Sequence, residues 1–213
     1  SIFLVFALGQ LSGTYLAAMA NGLLADMTLA SSSADAGALE SFIYANDLAW
    51  PAGLMGALIG SLMIVVVIRL LKGLPLKDYL NLGNVRWQTW TIWLLAFLGI
   101  SIITGTLEAN FEVFQTDFMG DVIGGSRSIP LLFLTVGILA PIFEELLFRG
   151  FVFKGLERSV LGGHGTVWLT ALAFASIHLQ YPIGVVALIV PTAVVLGYSR
   201  MYSGSLLVPI ALH

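Results

Sequence analysis

Two adjacent carboxylic acids and a guanidinium stand in "EELLFRG", residues 144–150, inside an otherwise apolar run. Glu145 and Arg149 are four residues apart, with the acid on the N-terminal side. That spacing and order favour an ion pair along one face of a helix. Glu144 points about 100° away on the same helix and has no partner of its own at that spacing. A paired carboxylate suits holding a helix in place. An unpaired one is free to take a proton from water. Glu144 is therefore the expected reactive acid, with Glu145 and Arg149 in supporting, orienting roles.

Partners for Glu144 come from the histidines, of which the chain has three. His164, in the glycine-rich "LGGHGT", reads as a solvated loop residue. His178 falls about 18 Å in from the cytoplasmic side of its apolar segment, and His213 about 12 to 15 Å into its own, at about 1.5 Å per residue. Glu144 lies about 15 Å from the inner end marked by Lys154 on the same measure. Three side chains from three separate helices are thus expected at one depth. Two imidazoles and a carboxylate placed together can act on a water. The carboxylate takes its proton, and the imidazoles orient it or donate to a leaving group. The same trio is also a possible zinc site with water in the fourth position. No cofactor is favoured, because the nearby charge of Arg149 repels a bound cation, although Glu145 offsets part of that charge. Either arrangement can hydrolyse an amide.

The elements that must carry these residues are membrane helices. The 213 residues are 58% hydrophobic and only 10% charged, where a soluble domain has about a quarter of its residues charged. A net charge of −3 gives no reason to expect nucleic acid, and the absence of cysteine removes disulfides and thiolate chemistry. Apolar runs near the roughly 20 residues needed to span a bilayer are Ile2–Leu24, Leu48–Leu71, Trp90–Leu107, Ile129–Phe153, Thr166–Tyr181 and Ile183–Tyr198, with a seventh beginning near Ser205. The expected fold is an all-α polytopic transmembrane bundle of about seven helices, eight if the chain continues beyond His213. Residues 1–213 are expected to form a single integral membrane domain, with 129–213 the helices that bear the motifs. A start at Ser1 and an end within an apolar run lead us to expect a longer chain at both ends, and no cleavable signal peptide is visible.

Lysine and arginine placement orients the bundle. Arg69, Lys72, Lys77 and Arg86 place the loop after the second segment on the cytoplasmic side; Lys154, Arg158 and Arg200 mark the later inner loops. The loops at residues 25–47 and 108–127 are acidic and read as external. "LKGLPLKDYLNL" reads as a short interfacial helix, and Trp87, Trp90 and Trp93 as an interface belt and helix face.

From residue 129 onward the sequence resembles the CPBP intramembrane endopeptidases, also called the Abi or type II CAAX prenyl endopeptidase family. The first family motif, two glutamates, three residues and an arginine, is matched by Glu144, Glu145 and Arg149. The second, phenylalanine, three residues and histidine, is matched by Phe174 and His178 in "FASIH". The third begins with histidine, matched by His213 in "GSLLVPIALH". The resemblance implies peptide-bond hydrolysis within the membrane, with Glu144 activating water beside His178 and His213, and with an asparagine or aspartate past His213 at the oxyanion. Phe174 is expected to pack, as a wall of the substrate pocket. Both metal-dependent and glutamate-dependent mechanisms have been attributed to the family, and the residues favour the second. The implied partners are the lipid bilayer and a membrane protein or (prenylated) peptide. Short loops and a compact length point to a prokaryotic plasma (inner) membrane. Two other functions compete: a proton-coupled transporter, since buried Glu, Arg and His also build proton relays, and a catalytically silent scaffold or immunity protein. A transporter is disfavoured by the lack of an internal repeat, and a silent member by the intact Glu144 and His178.

Overall fold

Continuous apolar sequence in a bilayer must satisfy its own backbone hydrogen bonds, and helices do so within one segment. The computed structural model describes residues 11–19, 22–32, 42–43, 46–72, 75–178 and 180–213, and the described residues are helical with no strand. In chain order the helices are α1 (11–19), α2 (Leu24–Ser31), α3 (Ala49–Lys72), α4 (Leu76–Leu80), α5 (Trp87–Asn110), α6 (Phe118–Gly125), α7 (Ile129–Leu156), α8 (Gly162–Ser176), α9 (Ile183–Ser203) and α10 (Leu207–Leu212). Four of these are long and apolar enough to cross a membrane: Ala49–Leu70, Trp87–Asn110, Ile129–Leu156 and Ile183–Ser203.

The difference from about seven has local causes. The expected segment Ile2–Leu24 falls partly outside the described residues, at 1–10, 20 and 21. The segment Thr166–Tyr181 is a helix of 15 residues that stops at Ser176, or about 22 Å against a hydrocarbon core of about 30 Å. The seventh is the six-residue α10.

The chain divides into two compact units. One comprises residues 1–66 and 117–143. Here Ala18, Met27 and Leu48 form a buried cluster under Ala17, Leu23, Phe42 and Ile43. Gly60 lies where any Cβ would strike the ring of Phe143, so only glycine lets α3 approach the first half of α7 this closely. Pro141 interrupts the backbone ladder of α7. The chain meets it with a wider π turn over Thr135–Leu139, where Ala140 N–H reaches back five residues to Thr135 O.

The other unit comprises residues 67–116 and 144–213 and carries every motif residue. Within it α8 and α9 pack face to face, with Gly197 against Val167. Leu196, Val208 and Leu212 form a core against which Val85, Trp90, Trp93 and Phe97 pack. Trp90 and Trp93 are therefore packing residues of this unit, whereas Trp87 is exposed. The expected interfacial helix is the five-residue α4, whose Tyr79 and Leu80 are buried.

Candidate active site

Glu144 and Glu145 close the regular part of α7 at Ala140–Glu145, and a second π turn over Leu146–Val152 follows at once. The turn is closed by Phe153 N–H donating to Phe148 O, five residues back. Such turns recur at functional sites because one wide turn re-aims side chains and releases carbonyls from the helical ladder. Gly150, in its middle, admits the side chains of Leu80 and Leu206.

Arg149 Nη1 donates to Glu145 Oε1 at 2.9 Å, and both side chains are fully buried. Arg149 Nη2 donates to the backbone oxygen of Ala193 in α9 at 2.8 Å. Its guanidinium carbon lies 5.0 Å from the centroid of the Phe174 ring. The pair is thus also clamped from α8 and α9. A second tie was not expected from the sequence. His213 Nδ1 lies 2.8 Å from the same Glu145 Oε1. A carboxylate only accepts, so Nδ1 carries the hydrogen and Nε2 of the neutral ring is an acceptor.

That Nε2 faces Glu144 Oε2 at 3.7 Å. The Glu144 and His213 side chains keep 18% and 22% of their surface exposed, against 0% for Glu145 and Arg149. Only the first two can therefore meet a water. His178 stands just past the end of α8, where Tyr181 N–H donates to His178 O at 3.1 Å in a tight turn. Its Nδ1 donates to Phe174 O at 2.8 Å, which leaves Nε2 as the outward nitrogen. Phe174 packs against both imidazoles, with ring centroids 4.7 Å from His178 and 5.7 Å from His213. Tyr181 stacks on His178 at 6.3 Å.

Glu144, Glu145, Arg149, Phe174, His178 and His213 thus form one cluster. His164 is elsewhere: it lies in the first turn of α8, exposed, with Nδ1 3.2 Å from the Tyr198 hydroxyl. Sequence reasoning missed three participants: the Ala193 carbonyl, Tyr181 and Arg200. Arg200 is buried in the last turn of α9, although its charge reads as that of a solvated loop. A charge within "VVLGYSRMYS" was the available signal. A carbonyl offers none. Among the described residues no three His, Asp or Glu side chains form a group that could hold a metal ion, and Glu144, His178 and His213 do not fit zinc as a ligand set.

The class defined by these features is an integral membrane protein of helices with a buried Glu–Arg pair and a carboxylate–imidazole cluster. Residues 126–213 match the family described as Type II CAAX prenyl endopeptidase Rce1-like. Over 159 residues the chain is 30% identical to an "Uncharacterized 24.3 kDa protein" of Escherichia coli, covering 71% of this chain and 69% of that relative. No solved structure matches it. The chain belongs to the Rce1-like type II CAAX prenyl endopeptidase (CPBP, Abi) family.

Proposed function

We propose that this protein is an intramembrane endopeptidase in which Glu144 is the general base, with His213 and His178 assisting. The observation that carries this reading is the 3.7 Å approach of Glu144 Oε2 to His213 Nε2. With Nδ1 committed to Glu145, these are two acceptors facing each other, too far apart and without a proton to share. A water that donates one O–H to each would have its lone pairs free for a carbonyl carbon. In the attack the water oxygen bonds to that carbon and its proton passes to Glu144. When the tetrahedral adduct collapses, the carbon–nitrogen bond breaks and the proton goes on to the leaving amine. His178, held at Nδ1, presents Nε2 for the oxyanion or the leaving group when it is protonated.

Glu145 and Arg149 orient the site in this reading, and Phe174 walls it. The substrate is a membrane-associated or lipidated protein or peptide. The whole chain acts as one integral membrane domain of a prokaryotic plasma (inner) membrane, with its basic loops cytoplasmic. The test is reconstitution in liposomes with a membrane-inserted peptide substrate. Wild type is expected to cleave and Glu144→Ala to leave the peptide intact; equal cleavage by both would overturn the mechanism.

A further inference from the structure

Arg200 is a second guanidinium enclosed by protein, 3% exposed, at the end of an apolar span. Unlike Arg149 it has no carboxylate within ion-pair distance among the described residues. Its hydrogen bonds go to backbone. Nε donates to Arg149 O at 3.1 Å and Nη1 to Gly204 O at 2.6 Å. The guanidinium carbon lies 6.0 Å from the Phe153 ring centroid.

Both carbonyls lie where the backbone departs from regular α-helix. Arg149 lies inside the π turn Leu146–Val152. A carbonyl displaced from the helical ladder in apolar surroundings must be satisfied by another group. Gly204 ends α9 in the left-handed region, at φ 69°. Its carbonyl also accepts from Asn81 Nδ2, and Leu206 N–H donates to Asn81 O at 3.3 Å. From this corner the chain enters α10, at whose end His213 stands. One guanidinium therefore joins the backbone that carries Arg149 to the corner that leads into the helix before His213. Those are the two side chains that meet on Glu145 Oε1.

We propose that Arg200 is a positioning residue for the Glu145–Arg149–His213 cluster. It pins the π turn of α7 and the corner before α10, and so sets where His213 stands relative to Glu144. A planar guanidinium offers donors along two edges at once, whereas lysine's compact ammonium is a point donor on a different stem. Arg200→Lys keeps the charge and loses the bridge.

The activity part of the test rests on the function proposed above; the spectroscopic part does not. The full chain is labelled with ¹⁵N-histidine in nanodiscs, and its three histidines are assigned from His164→Asn and His178→Asn. The hydrogen on His213 Nδ1, bound to a carboxylate, is read directly. In Arg200→Lys this signal is expected to move or broaden while that of His164 stays at its wild-type position, which also reports a folded protein. The rate constant for cleavage is expected to fall about tenfold, with KM little changed. An unshifted His213 signal in Arg200→Lys overturns the proposal, whatever cleavage does. Should the lysine variant not fold, Arg200→Gln, which keeps a donor, is read in the same way. If even wild type cleaves nothing, the proposed function fails, and the His213 signal still decides the role of Arg200.

Discussion

Glu145 Oε1 accepts from His213 Nδ1 at 2.8 Å and from Arg149 Nη1 at 2.9 Å. One buried oxygen thus fixes the tautomer of an imidazole at the end of α10 and neutralises a guanidinium on its own helix. The second carboxylate of the motif is therefore more than a structural counter-ion. It determines which nitrogen of His213 is turned toward Glu144.

Glu145→Gln tests this double duty. Removing the charge leaves Arg149 buried without a counter-ion, and breaking a buried pair from one side costs about 3 to 5 kcal/mol. It also weakens the hold on His213. Stability in micelles should fall by that amount, and cleavage should fall further than stability explains. In Glu145→Gln/Arg149→Met most of the stability should return, because no charge is left unpaired, while activity stays low. Thermal denaturation together with cleavage rates at a temperature where all variants are folded would check both. Recovery of activity along with stability would show that Glu145 only balances charge.

The 3.7 Å approach of Glu144 to His213 makes a second prediction. If the two act on one water, removing either should remove most of what both contribute. Glu144→Gln and His213→Gln are each expected to lower the cleavage rate by about 10² to 10⁴. The double variant should then be no worse than the poorer single one. Additive losses would mean that the two groups work in separate steps.

The Glu145–Arg149 pairing is readable from sequence because helical geometry brings residues four apart to one face. The His213–Glu145 bond joins residues 68 apart. Nothing local says which of two adjacent glutamates an imidazole will reach. Arg200 is misread for a related reason. The apolar run seems to stop at Tyr198, yet α9 continues to Ser203 and folds the guanidinium inside. His178 sits in what reads as a helix to Tyr181, but α8 ends at Ser176 and the histidine lies beyond it. The first π turn has a visible cause in Pro141. The second has only Gly150 to mark it, and no rule of periodicity predicts an inserted residue in a helix.

Metal removal separates a glutamate-activated water from the zinc alternative, for which Glu144, His178 and His213 do not come together as a ligand group. The Arg149 guanidinium stands one helical turn from Glu145 and opposes a cation at Glu144. Cleavage by a metal-depleted preparation in the presence of a chelator is therefore expected to equal that of the untreated protein. Loss of activity on chelation that zinc restores would assign the water to a metal instead.

Phe174 meets three other members of the cluster and a neighbouring ring. Its ring lies 5.0 Å from the Arg149 guanidinium carbon, 4.7 Å from His178, 5.7 Å from His213 and 5.3 Å, edge to face, from Phe148. Its backbone oxygen also holds His178 Nδ1, a bond that substitution of the side chain leaves in place. Phe174→Leu should therefore keep the His178 tautomer but lose the ring wall and the cation–π contact. The combined change should lower stability by about 1 to 3 kcal/mol. Cleavage should fall about tenfold through the looser imidazoles, and the ¹⁵N signals of His178 and His213 should broaden while that of His164 does not. Wild-type cleavage with both histidine signals unchanged would reduce Phe174 to a filler of space.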